Sequence, residues 1–355
     1  MKTARYLRRF WAGLLMIIIA ATAAPSFAQG DPPTSYRLDG LRHIYQTWNN
    51  CGAANLTMAL SYFGWGYDQE LAAAWLKPNG EDKNVSPAQM VGYVNQQTEM
   101  PTIRALWRYG GTLDMLKEFL SAGFPVIIES GYEVEDKGWM GHYETVAAYD
   151  DPSQTLWVYD SYLGLGSGYG MEHSYAEFDQ YWRHFNRAFI VLFPLEREEV
   201  VRTILGGYAD PAYAAQQALD TALDEAALDQ TDKWAWFNAG TSAAKLGQYN
   251  DAAIYYDEAF RHDLPYRMLW YQFGPYESYY NVGRYDTVLT MANNTEATTV
   301  YVEETNYWRG MVYAAQGNTQ EAINEFNKAL SFNRNFTDAQ SAKTLVETGQ
   351  FKAPV

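Results

Sequence analysis

Gln46-Thr47-Trp48-Asn49-Asn50-Cys51-Gly52-Ala53-Ala54-Asn55-Leu56 is the stretch whose reading decides the first half of this chain. It holds the single cysteine of the 355-residue sequence. Ala53, Ala54, Leu56, Ala59, Leu60 and Phe63 recur at mixed three- and four-residue steps, the spacing of one helical face. That spacing predicts a helix with Cys51 in its first turn, ending near Gly64-Trp65-Gly66. At such a position unpaired backbone N–H groups and the positive end of the macrodipole favour thiolate over thiol. Gly52 permits close backbone approach. Gln46, on the strand or loop feeding the helix, is placed to present its side-chain amide beside the sulfur. A lone cysteine is also commonly a small buried apolar residue. Taken alone, the stretch leaves core thiol and nucleophile equally open.

Composition narrows the partners. The formal charge is −16 and no basic stripe is present, which argues against nucleic acid. At the N-terminus Lys2, Arg5, Arg8 and Arg9 precede an apolar run over residues 11–24, and Ser26-Phe27-Ala28 offers a small-x-small cleavage site before Gln29. This reads as a cleaved secretory signal over residues 1–28, with an uncleaved N-terminal anchor as the alternative. The run is short for a span and Pro25 interrupts it, so no stable membrane span is expected after cleavage. No cysteine follows the cleavage site, so lipid attachment of the bacterial lipoprotein kind is not indicated. The expected location is secreted or extracytoplasmic. Cysteines exported to an oxidising compartment normally pair, and an unpaired one points to a reactive thiol or an intermolecular bridge. Export therefore favours the nucleophile reading of Cys51.

Further helices are predicted over residues 68–76, from Ser86-Pro87 onward with Ser at the N-cap and Pro at the first helical position, and over residues 113–121. The period then switches to that of strands at residues 125–130, 143–150, 155–160 and 189–193, with Asp151-Pro152-Ser153-Gln154 as a turn. Helices followed by antiparallel strands indicate an α+β domain over residues 29–195. His142 follows Gly141 and is expected at a loop opening the second strand, where a rigid sheet would position a catalytic base. Asp160 ends the neighbouring strand. The hairpin register brings the two near one another at its open end, so that Asp160 could hold one imidazole nitrogen while the other faces Cys51. Either residue alone is more often an ordinary loop or turn residue. His43, His173, His184 and His262 lack a comparable arrangement and read as structural or surface residues. No spacing of His, Cys and carboxylates suggests a metal site, and no cofactor is expected.

Gln46-x4-Cys51-Gly-Ala-Ala, then Gly141-His142-Tyr-x-Thr-Val-x-x-Tyr-Asp, then Trp-Val-Tyr-Asp160, resembles the bacteriocin-processing (double-glycine) family of papain-like cysteine peptidases. The similarity is to its transporter-free, peptidase-like branch and covers roughly residues 36–195. The resemblance implies Cys51 as nucleophile, His142 as general base, Asp160 as orienting acid and Gln46 as oxyanion-hole donor. One departure stands at the acid, where the family often has Asp-Pro and this sequence has Ser161 after Asp160. With no transporter present, the family's double-glycine leader specificity is not carried over.

After a charged linker over residues 196–210 the pattern becomes helical and repeats. Gly240, Gly247, Ala252, Tyr256 and Ala259 match Gly310, Gly317, Ala322, Phe326 and Ala329, and a degenerate copy holds Tyr276, Tyr279, Gly283, Val288 and Ala292. Small residues where two helices touch and an aromatic on the second resemble tetratricopeptide repeats over residues 211–350. Residues 211–227, rich in alanine, read as a partial repeat or cap. The expected fold is thus an α+β papain-like cysteine peptidase domain followed by an all-α tetratricopeptide-repeat solenoid. The expected function is hydrolysis of a peptide or protein substrate, with the repeats recruiting substrate or a protein partner. A non-catalytic peptide-binding scaffold is the alternative, and amidase or transpeptidase chemistry on the same fold is a third.

Overall fold

Seven short strands and the helices between them make the first half of the chain. The computed structural model describes residues 31–354; the expected signal peptide at residues 1–28 lies outside them. In chain order the elements are β1 (Ser35–Arg37), α1 (Cys51–Ser61), α2 (Gln69–Leu76), α3 (Pro87–Gln96), β2 (Ile103–Arg108), α4 (Leu113–Ser121), β3 (Val126–Val134), β4 (Gly138–Asp150), β5 (Thr155–Asp160), β6 (Met171–Ser174), α5 (Tyr175–Trp182) and β7 (Phe189–Pro194). The strands form one antiparallel sheet in the order β2-β7-β3-β4-β5-β6. Past Val146, β1 takes over from β3 as the partner of β4.

Both faces of the central strands are covered, which is why they read as continuous apolar runs. Val126, Ile128, Phe189 and Val191 pack on one side with Leu116 and Phe119 of α4 and Trp182 of α5. Ile127, Ile190 and Leu192 pack on the other with α1, α2 and α3. α1 is buried from Gly52 to Leu60. Its Ala54 and Met58 serve the first cluster, and Ala53, Leu56, Ala59 and Leu60 the second. A Cβ on Gly52 would lie 3.2 Å from Val85 Cβ, so the glycine lets the helix start sit tight against its neighbour. α3 begins as expected, with Ser86 at the N-cap and Pro87 at the first helical position, and Ser86 and Gln89 close a capping box around it.

Several boundaries differ from the sequence reading. α1 stops at Ser61, short of the expected glycines. The β3–β4 hairpin extends from Val134 to Gly138, well beyond the expected strands. His142 consequently lies inside β4, paired with Ser130, not in a loop. The extension holds Gly131, Gly138 and Gly141 and shows no apolar alternation; backbone pairing and packing against the second half of the chain keep it extended. β1, β2, β6 and α5 had no counterpart in the sequence reading. β1 and β6 are only 3 and 4 residues long, and β2 carries two arginines.

Residues 196–210, expected as a linker, contain helix α6 (Glu198–Leu205), whose Val201 and Leu205 join the core beside α4. Then come α7 (Pro211–Leu228), α8 (Lys233–Lys245), α9 (Tyr249–Ala259), α10 (Gly274–Asn281), α11 (Tyr285–Thr298), α12 (Glu303–Ala315), α13 (Thr319–Phe332) and α14 (Thr337–Glu347). The matched positions do matched work. A Cβ on Gly240 would lie 2.7 Å from the Tyr256 ring, and one on Gly310 would lie 2.6 Å from the Phe326 ring. The glycine thus admits the aromatic of the second helix in each pair.

The helices dock against the sheet domain through first helices of pairs and the segments before them. Asn238 of α8 donates to Arg183 O (2.7 Å), and Ser242 of α8 accepts from Asn186 (2.8 Å). Asn84 donates to Glu304 of α12 (3.3 Å), and Asn335, just before α14, donates to Trp75 O (2.8 Å). A 3-10 segment, Tyr266–Trp270, precedes α10 and packs on β4. No helix among the described residues is long and apolar enough to cross a membrane.

Candidate active site

Cys51 is the first residue of α1, and its thiol opens into a pocket of about 470 Å³. Gln46 and His142 line the same pocket. The loop leading into the helix is held from three sides. The Gln69 carboxamide accepts from Thr47 N (2.9 Å) and Asn50 Nδ2 (3.0 Å) while donating to Tyr45 O (2.8 Å). Lys77 Nζ donates to Asn49 O (2.6 Å), fixing a residue at φ 53°. Gln46 N donates to Ser161 O (2.7 Å).

His142 and Asp160 meet as the hairpin reading expects, with one refinement. A bulge between Val146 and Ala148 shifts the β4–β5 register, so Asp160 pairs with Glu144 in the ladder. His142 is two residues further along β4, on the same face. Its Nε2 donates to Asp160 Oδ1 at 3.1 Å, and both side chains are buried. That leaves Nδ1 for the hydrogen bond between His142 and Cys51.

The charges are mutually supporting. Burial opposes ionisation of Cys51, but the hydrogen bond and charge of His142, the Tyr143 backbone N–H and the Lys77 ammonium outweigh it and lower its pKa. Burial also opposes the imidazolium, yet Asp160 and Cys51 together hold His142 well above its ordinary value. Against burial, His142 and the N–H groups of Leu163 (2.8 Å) and Tyr162 (2.5 Å) keep Asp160 below the usual carboxylate range. Glu144 goes the other way: burial and Asp160 push it up, and it accepts from Ser130 Oγ (2.7 Å). The two neighbouring carboxylates are thereby split, and Asp160 is the one kept charged.

Gln46 lines the pocket with Cys51. Its Oε1 accepts from Ser161 Oγ at 2.8 Å, which leaves the amide Nε2 as the donor for the pocket. Ser161 Oγ in turn accepts from Asn55 Nδ2 (3.2 Å), and Asn55 also donates to Cys51 O (3.1 Å) and Tyr143 O (2.6 Å). The residue that departs from the family's Asp-Pro pattern is therefore the one that orients Gln46. Sequence reasoning missed this role, as it missed Asn55, Gln69 and Lys77. The unusual serine after Asp160 was the available signal.

The other histidines do different work. His43 Nε2 donates to Asp160 O (2.8 Å) and supports the site from behind. His184, stacked on Trp234 and accepting from Trp139 Nε1 (3.1 Å), is pushed down to about 3, chiefly by burial and Arg183. His173 and His262 are half-buried beside glutamates. Among the described residues no group of His, Cys, Asp and Glu could hold a metal ion. One wall of the pocket was not foreseen at all: Arg267, Trp270 and Tyr271 reach it from the helical half. A Cβ on Gly141 would lie 3.1 Å from the Tyr271 ring, so this glycine admits the repeat residue directly beside His142.

Residues 36–190 match the Peptidase_C39 like family. Residues 235–263 and 303–336 each match a tetratricopeptide repeat family. No curated protein matches. Among solved structures, YrrB, described as a TPR protein with an unusual peptide-binding site, is similar at 16% identity and a TM-score of 0.32, over 39% of this chain and 71% of its own. A peptidase C39-like match over residues 36–190 is thus followed by tetratricopeptide-repeat matches.

Proposed function

We propose that the protein is an exported cysteine peptidase in which Cys51, His142, Asp160 and Gln46 do the chemistry. The observation that carries this reading is one arrangement of three residues: the Asp160 carboxylate 3.1 Å from one nitrogen of His142, with Cys51, at a helix N-terminus, lining the same pocket as the imidazole.

In this reading the thiol proton resides on His142, and the thiolate sulfur attacks the carbonyl carbon of the scissile peptide bond. Negative charge moves to the carbonyl oxygen, where Gln46 Nε2 and the Cys51 backbone N–H receive it; removing one such donor typically costs about 2.7–4 kcal/mol of transition-state energy. As the C–N bond breaks, His142 gives its proton to the leaving amine and a thioester remains on Cys51. Water, deprotonated by His142, attacks the thioester and releases the acid and the free thiol.

The pH window follows from the direction of each shift. Asp160, lowered, contributes stability above the ordinary carboxylate range that is lost as pH falls through its depressed value. His142, raised, contributes stability below the unfolded imidazole value that is lost as pH rises through its elevated one. The thiolate–imidazolium pair is the favoured state between the lowered Cys51 value and the raised His142 value.

The test is Cys51→Ala with a thiol-directed peptide probe and a peptide-hydrolysis assay. Labelling and hydrolysis are both expected to vanish in the variant. Hydrolysis that survives the substitution sinks the assignment; probe labelling without turnover of any peptide favours the binding-scaffold reading instead. Export is tested by N-terminal sequencing of protein recovered from the cell envelope or medium, where a start at Gln29 is expected.

A further inference from the structure

The pocket before Cys51 inverts the charge of the chain. The sequence has 42 acidic and 26 basic residues. The charged side chains that open into the pocket are nevertheless Lys83 from the α2–α3 loop, Lys137 from the β3–β4 turn and Arg267 from the repeats. Among the described residues no carboxylate lines it. Asp160 lies behind His142, its Oδ1 occupied by the imidazole and two backbone N–H groups.

Two of the cations are unspent. Among the described residues neither Lys137 nor Arg267 is paired with a carboxylate, whereas Lys83 has Glu81 at 3.8 Å. Arg267 is fixed in place: Nη1 donates to Lys137 O and to Trp139 O (3.1 Å), and the guanidinium lies 5.2 and 5.3 Å from the ring centroids of Tyr266 and Trp270. Its Nε is buried without a hydrogen-bond partner. Lys137 Nζ stands 6.0 Å from the Tyr162 ring centroid at the pocket. The remaining wall is largely aromatic, which lowers the local dielectric and strengthens attraction for an anion.

We propose that this pocket is a specificity subsite for a peptide carboxylate close to the scissile bond, and that the repeat array supplies part of it through Arg267. The proposal rests on the peptidase reading and names its substrate class. The carboxylate is either an Asp or Glu side chain or a free peptide C-terminus. Both present the same two oxygens to Arg267 and Lys137. The repeats thereby select substrate at the site itself.

The experiment uses the intact chain and a peptide series identical except for Glu or Gln at one position at a time, each made with a free or amidated C-terminus. Two quantities are read: kcat/KM for cleavage, and protection of Cys51 from iodoacetamide. Wild type is expected to favour a carboxylate-bearing peptide by about 10–100-fold, the range for a hydrogen bond to a charged group. Lys137→Gln and Arg267→Gln should each reduce that preference, lowering kcat/KM for the carboxylate-bearing peptides more than for their Gln and amide counterparts. Lys137 is an exposed turn residue, so its variant keeps the test decisive if Arg267→Gln loosens the hairpin. Preference for Glu identifies a side chain, and preference for the free terminus identifies a C-terminal acid. Equal cleavage of charged and neutral peptides overturns the subsite and leaves the hydrolase standing. Protection by the charged peptides alone, without cleavage of any, supports the subsite and overturns the hydrolase. Equal protection, or none, with no cleavage overturns the subsite.

Discussion

At the scale of single residues, the candidate site is held in place by side chains that do not line its pocket. Ser161 gives Gln46 a single orientation through one 2.8 Å hydrogen bond. A neutral hydrogen bond of this kind is worth about 0.5–1.5 kcal/mol net, so Ser161→Ala should lower kcat by roughly 2–12-fold with KM nearly unchanged. Asn55 keeps its bonds to Cys51 O and Tyr143 O in that variant, so the fold should hold. A Ser161→Ala enzyme with wild-type kcat would remove Ser161 from the machinery. The positions of Cys51 at a helix start and of Asp160 at a strand end were legible from local pattern, whereas His142 was expected in a loop and lies inside β4. Asn55, Ser161 and Lys77 were not legible, because their roles come from contacts across 106 and 28 residues of chain that no local pattern encodes.

Element by element, legibility followed period. α2, α3 and α4 were readable from caps and spacing, and the ends of β5 from its turn. The hairpin extension that carries His142 was not, since its glycines make room for His184, Phe185 and Tyr271, which arrive from elsewhere. In the repeats, small residues opposite aromatics were legible as a pattern, and the geometry gives the reason. Gly310→Ala places a Cβ 2.6 Å from the Phe326 ring, an overpacking expected to cost about 1–3 kcal/mol. Thermal melts of Gly310→Ala should show the loss, and adding Phe326→Leu should recover part of it. Additive losses in the double variant would mean that the two side chains do not meet.

Across the whole molecule, the repeats are a wall of the site as well as an array of helices. The sequence reading assigned them recruitment; Arg267, Trp270 and Tyr271 put them beside Cys51 as well. Asn84 and Lys83 tie the loop behind Cys51 to α12 and to Tyr301 O, while Asn186 ties the end of α5's lobe to α8. This framework has one purpose in our account: to keep Cys51 a thiolate opposite a charged His142 in a pocket closed on both sides. The most direct measurement is the rate of Cys51 alkylation by iodoacetamide across pH in the intact chain and in His142→Ala. Wild type should react fast below the value of about 8.5 at which an ordinary thiol titrates, with the rising limb displaced upward in the variant. Superimposable profiles for the two proteins, both rising near the ordinary thiol value, would contradict the account.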